Sequence, residues 1–143
     1  MFSKACEYAI RAAVYIAAET DETKKVGIQD ICIQIEAPQH FTAKILQILT
    51  RKQIVSSQKG VNGGFYLNKI QKNTPIREIV VAVDGAKVFT GCGLGLKQCS
   101  EEKPCPIHNQ FKELRSRLNK MMEQTTIEML GRRLKNGESV LVQ

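Results

Sequence analysis

Two short stretches with helical apolar spacing are separated by Glu36-Ala37-Pro38, and a glycine-rich hairpin signal follows them. Ile28, Ile31, Cys32 and Ile35 share one helical face, and Phe41, Ile45, Leu46 and Leu49 share the next. Pro38 disfavours helical backbone in the residue before it and suits the opening turn of the second helix, where its missing N–H is not needed. Two short helices meeting at a tight turn form the helix-turn-helix arrangement. The second is expected to end near Lys52.

The flanking segments extend this unit. Ser3 precedes Ala5, Cys6, Ala9, Ile10, Ala13, Val14 and Ile16 to Ala18, which predicts a capped first helix over 3–20. Asp21 to Lys25 reads as a loop and Val26-Gly27-Ile28 as a short strand. Ile54-Val55-Ser56-Ser57 and Gly64-Phe65-Tyr66-Leu67 read as paired strands, with Lys59-Gly60-Val61-Asn62-Gly63 as the tip between them, so the hairpin is a wing. Thr74 as cap and Pro75 in the first turn open a fourth helix through Ile76, Ile79, Val80 and Val83, closed by Asp84-Gly85.

The winged unit therefore spans 1–85. Residues 86–106 turn to Gly, Lys, Cys, Ser and Glu without periodicity, a loop that needs a ligand to hold it still. In 107–143, Pro106 opens a long helix with Ile107, Phe111, Leu114, Leu118, Met121 and Met122 at spacings of three and four. That stripe is expected to pair with a second copy rather than with its own domain. Thr125 or Thr126 caps a last short helix through Leu130 and Leu134, and a loose tail runs from Lys135 to Gln143. The predicted fold class is mainly α with a small β-wing, a winged helix-turn-helix domain plus a long dimerisation helix.

The charge is uneven. The chain has 143 residues, 21 Lys and Arg, 14 Asp and Glu, and a formal charge of +7. Between Ala37 and Arg77 stand Lys44, Arg51, Lys52, Lys59, Lys69, Lys72 and Arg77 with no acidic residue, and these seven make up the whole excess. Such a stretch is the footprint of phosphate binding, which points to double-stranded DNA. A reading helix contacts base edges with residues near its N-terminus, here Gln39, His40, Thr42, Ala43 and Lys44. Gln39 can bond adenine in two places, and His40 and Thr42 can bond several bases. Arg51, Lys52 and Lys69 suit phosphates, and Lys59 with Asn62 at the wing tip suits the minor groove.

Cys92, Cys99, Cys105 and His108 lie together in the polar loop and the turn after it. Thiolates are the soft ligands of iron-sulfur clusters and zinc, and His108, three residues after Cys105, is the nearest fourth donor. Zinc sites pair cysteines two to four residues apart, whereas these intervals are longer and more even. The spacing favours a cluster and leaves zinc or redox-active thiols as alternatives. Cys6 and Cys32 sit on apolar helix faces as small hydrophobes. Five cysteines without an export signal, and Glu7 and Arg11 interrupting the N-terminal apolar stretch, lead to an expectation of a cytoplasmic chain that does not span a membrane. No phosphate loop, Ser-His-Asp set or carboxylate pair points to an enzyme.

CEYAIRAAVYIA, PQHFTAKILQILTRKQIVSSQKGVNGGFYL, PIREIVVAVDG and the three cysteines before a long helix resemble the IscR and NsrR family of bacterial winged-helix transcription regulators, which includes CymR and RirA. The resemblance covers nearly the whole chain. It implies a homodimer on an imperfect palindromic operator, acting as a repressor, with the long helices crossing near an iron-sulfur cluster, [2Fe–2S] ahead of [4Fe–4S]. The state of that cluster would report iron, nitric oxide or redox conditions as a change in DNA affinity. It assigns Cys92, Cys99 and Cys105 to the cluster, with His108 as fourth ligand in IscR-like members or Glu7 of the partner subunit in NsrR-like ones. Lys59 matches a basic wing residue, and Gln39, His40 and Ala43 match base-reading positions. The six residues Gly93 to Gln98 are one more than the family usually has, and Ala43 replaces an acidic residue tied to recognition of two classes of site. A CymR-like alternative implies control by a partner protein instead.

Overall fold

The Ser3 hydroxyl accepts the Cys6 amide at 3.1 Å and starts α1, Lys4–Glu19, in the computed structural model, which describes residues 1–143. The same serine is tied to Asp84 through both its hydroxyl and its amide. Helix α1 ends when the Thr20 hydroxyl turns back to the Ile16 carbonyl at 2.6 Å, and that hydroxyl also accepts the Leu67 amide. Its buried face is rich in alanine, with Ala9, Ala12, Ala13 and Ala17. Small side chains let other helices approach closely, and α1 becomes the centre of the core.

The helix-turn-helix follows as α2, Ile28–Ile35, and α3, Gln39–Arg51. Glu36 takes left-handed backbone at φ 51°, which ends α2. Pro38 caps α3 from just outside it, one step earlier than expected. Ile31, Ile35, Ile45, Leu46 and Leu49 are buried between the two helices and α1. Cutting Leu46 or Leu49 to Ala would cost about 2–5 kcal/mol, the usual loss for a cavity of that size. Tyr8 of α1 meets Phe41 edge-on at 5.6 Å, and Arg11 stacks over Tyr8 while donating to the Ile35 carbonyl. The turn is thus fixed to α1 at both ends.

The wing consists of β1, Ser56–Gln58, antiparallel to β2, Gly64–Tyr66, in the register Ser56 to Tyr66 and Gln58 to Gly64. Strand β1 starts later than the alternation suggests. Ile54 and Val55 are buried in the turn after α3, where Gln53 has φ 59°. Val26 makes only a single bridge, to Phe65, in place of the expected strand, because Ile28 already begins α2.

Two four-residue helices went unpredicted. Helix α4, Lys69–Lys72, is held by a reciprocal cap between Asn68 and Gln71. Helix α5 is Ile76–Asp84, capped by Pro75 rather than Thr74. Helix α6, Lys87–Thr90, lies inside the stretch expected to lack structure, and its Phe89 is buried. The long helix is α7, His108–Gln124, and the Thr126 hydroxyl caps α8, Ile127–Lys135.

Helix α8 packs against α1, and Met122 and Ile127 belong to the same core as Ile16 and Leu46. The winged unit therefore has no separate core ending at Gly85. Backbone bonds from Ile76 to Thr125 and from Ile127 to Thr74 fasten the starts of α5 and α8 together. The tail is not loose throughout, since Leu141 packs on the core.

Candidate functional site

Gln39, His40 and Lys44 are exposed at the start of α3, and Ala43 is half-buried. Thr42 is a correction. It is 0% exposed, its hydroxyl donates to the Pro38 carbonyl at 2.9 Å, and it packs as a core residue with no surface for a base. Arg51 and Lys52 are exposed where α3 ends, and Lys59, Val61 and Asn62 at the wing tip.

Glycine shapes the tip. A Cβ on Gly63 would lie 2.2 Å from the Gln58 carbonyl oxygen, and one on Gly64, at φ 145°, would lie 2.6 Å from that of Val26. Five of the seven excess cations, Lys44, Arg51, Lys52, Lys59 and Lys69, are exposed. The other two are structural. Lys72 donates to the Thr20 carbonyl at 2.7 Å, and Arg77 reaches Asn119 of α7 at 2.7 Å with its guanidinium 5.0 Å from the Phe89 ring.

The cysteine loop begins where α6 ends. The Leu94 and Leu96 amides, with the Cys105 thiol and the Gly95 amide, outweigh desolvation and hold the Cys92 thiol below its ordinary range. Backbone amides close to a thiol favour its thiolate form. The Cys105 thiol thus bears on Cys92. Cys99 lies beside His108, with Sγ 3.5 Å from Nδ1. His108 thus meets Cys99 by its ring and Cys105 only through the backbone, its amide donating to the Cys105 carbonyl at 3.0 Å. Cys105 and His108 are buried, while Cys92 and Cys99 are half-buried.

Helix α7 also closes the loop from beneath. Phe111 lies under Gly93, where a Cβ would meet its ring at 2.8 Å. Arg115, missed by the sequence reading, donates to the Gly91 carbonyl and to the Cys99 sulfur. Its position seven residues after His108 puts both on one helical face, which was the available signal. Glu7 is ion-paired with Lys4 at 3.2 Å and does not join the cysteine loop of its own chain. Cys6 is buried, and burial first, then Asp84, pushes its thiol up to about 12.

The chemistry of the donor set, three thiols and an imidazole, fits an iron-sulfur cluster, in which imidazole can replace thiolate.

Residues 2–133 match the family described as Rrf2, iron-dependent transcriptional regulator. A putative HTH-type transcriptional regulator of Aquifex aeolicus is 33% identical over 132 residues, covering 91% of this chain and 90% of the relative. The regulator IscR of Klebsiella pneumoniae is 28% identical over 92% of this chain and 77% of its own length. NsrR of Oceanobacillus iheyensis is 24% identical over 96% and 92%. In fold, the chain superposes on CymR, the global cysteine regulator of B. subtilis, with a TM-score of 0.74 at 15% identity, covering 92% of this chain and 96% of that one. It superposes on T. potens IscR with a TM-score of 0.74 at 13% identity, covering 98% and 92%. No helix is long and apolar enough to cross a membrane. A winged helix with an exposed basic segment, matched over nearly its whole length by regulators rather than enzymes, places this chain in the Rrf2 family of DNA-binding transcriptional regulators.

Proposed function

We propose that the protein is a homodimeric repressor of a palindromic operator, controlled by a [2Fe–2S] cluster on Cys92, Cys99, Cys105 and His108. The carrying observation is that the Cys99 sulfur lies 3.5 Å from the His108 ring, beside Cys105 whose carbonyl accepts the His108 amide. Three thiols and an imidazole in one loop suit a cluster in which imidazole replaces thiolate, and the lowered Cys92 thiol suits a thiolate ligand. When bound, such a cluster supplies a redox- and ligand-sensitive charge that comes and goes with the cell's conditions. His108 is taken as the fourth ligand because its ring already lies 3.5 Å from Cys99 Sγ.

A path of side chains leads from the loop to the reading helix. Cys92 follows α6, whose Phe89 lies under Arg77; Arg77 stands on α5, and α5 packs against α3. A change in the order of the loop therefore bears on α3 through solid contacts. The dimer forms along α7, which exposes Leu114 and Met121. Beside them an apolar groove of about 330 Å³, lined by Met1, Val88, Phe111, Leu114 and Leu118, is available to a second copy.

DNA is read by Gln39, His40 and Ala43, with Lys44, Arg51 and Lys52 on phosphates and Lys59 and Asn62 in the minor groove. Replacing Cys92, Cys99 or Cys105 with Ala tests the cluster assignment. Each variant is expected to lose visible absorbance while keeping its far-UV spectrum. Normal colour in all three would overturn it.

A further inference from the structure

We infer that Arg115 is a positioning residue of the cysteine site, tying the start of the loop to the Cys99 sulfur; this rests on the cluster reading above. Its Nη1 donates to the Gly91 carbonyl, one residue before Cys92, and stands 3.5 Å from Cys99 Sγ. One guanidinium nitrogen carries two hydrogens, so both bonds form at once. The side chain is half-buried, and its charged end lies 5.9 Å from the Phe111 ring, which itself supports Gly93.

Beyond the Leu94, Gly95 and Leu96 amides at Cys92 and the Phe111 ring under Gly93, few contacts fix this interval. Gly93 to Gln98 are all exposed, and one backbone hydrogen bond, from the Gly95 amide to the Cys92 carbonyl, lies within it. Arg115 is the side chain that joins the start of the loop to the Cys99 sulfur. Arg115 also gives Cys99 a permanent cationic neighbour, since guanidinium does not lose its proton in proteins. A donor aimed at a ligating sulfur withdraws charge from it, so a cluster held there has a higher reduction potential with Arg115 than without it.

The test uses the full chain with Arg115→Met, which keeps the stem and removes the charge and donors, and Arg115→Lys, which keeps the charge. In anaerobically reconstituted protein, Arg115→Met should release iron to a chelator about 10–100 times faster, the usual loss for an outer-shell partner. Its midpoint potential should fall, and Arg115→Lys should restore part of both. In metal-free protein, trypsin should cut after the exposed Lys97 about tenfold faster in Arg115→Met, since losing one charged hydrogen bond raises the open population by that order. Unchanged cleavage at Lys97, or unchanged release from loaded protein, overturns the inference. If the parent protein takes up no iron and sulfide, the cluster reading fails, and cleavage at Lys97 still decides the role of Arg115.

Discussion

Arg77 Nε donates to Asn119 Oδ1 at 2.7 Å, joining the helix behind the reading helix to the helix that carries His108. The side chain is only 25% exposed and also lies over Phe89. Arg77→Met keeps the apolar stem and breaks the bond. It should lower the unfolding free energy by about 1–2 kcal/mol in urea titration and narrow the difference in operator affinity between loaded and metal-free protein. An unchanged difference would separate DNA affinity from this contact.

Base reading and phosphate binding have different signatures. Gln39→Ala and His40→Ala should each cost about 1–3 kcal/mol on the preferred operator and little on sequences altered at the contacted pair. Lys59→Ala and Arg51→Ala should weaken binding to every sequence and reduce the salt slope by about one. Titrations on operator and scrambled duplexes at several salt concentrations distinguish the two classes. Equal losses on all duplexes for all four variants would contradict the reading helix assigned to α3.

Thr42 provides an internal contrast. Its hydroxyl bonds only the Pro38 carbonyl and its side chain is buried, so Thr42→Val should leave base preference unchanged. The change should cost no more than about 1 kcal/mol of stability, since the Pro38 carbonyl keeps the residue-42 amide as donor. Operator selection from a random pool, run beside thermal unfolding, checks both parts.

The titratable groups give opposite limbs of a pH profile. The Thr23 hydroxyl, with the Lys24 and Thr23 amides, lowers the Asp21 carboxyl to about 2. With an unfolded value near 3.9, its contribution is present in full above about pH 4 and is lost as pH falls toward 2. Asp21→Asn should flatten that part of the acid limb in urea unfolding. Cys6 is raised from 9.0 to about 12, so its neutral thiol favours the fold below pH 9, and that preference is lost as pH rises toward 12. Mass-resolved alkylation of metal-free protein at pH 8 should label Cys92 early and Cys6 only on unfolding.

Long elements with a strong period were legible from the residues alone. The Ser3 cap, the stripe of α1, the break at Glu36 to Pro38 and the glycine tip of the wing all appear where local chemistry requires them. Four-residue helices are too short to show a period, so α4 and α6 were missed, although the Asn68 and Gln71 cap was a readable sign of α4. The return of α8 onto α1 is a tertiary fact. Its clue was Gly131, where a Cβ would stand 3.1 Å from the Ala17 Cβ and 3.2 Å from the Ala18 amide nitrogen. Sequence spacing brought Cys92, Cys99, Cys105 and His108 into one region. It did not reveal that Cys99 meets the His108 ring and Arg115, which depends on how the loop folds over Phe111. Thr42 was misassigned because a polar residue near a helix start reads as exposed until its hydroxyl is found on a backbone carbonyl.

The most direct test is to purify the protein without oxygen and measure iron, acid-labile sulfide and zinc per chain beside the visible spectrum. Iron and sulfide in equal amounts, about two of each per chain, are the predicted result. Zinc alone, or no metal after reconstitution with iron and sulfide, would contradict the cluster and leave a DNA-binding regulator governed by its thiols or by a partner.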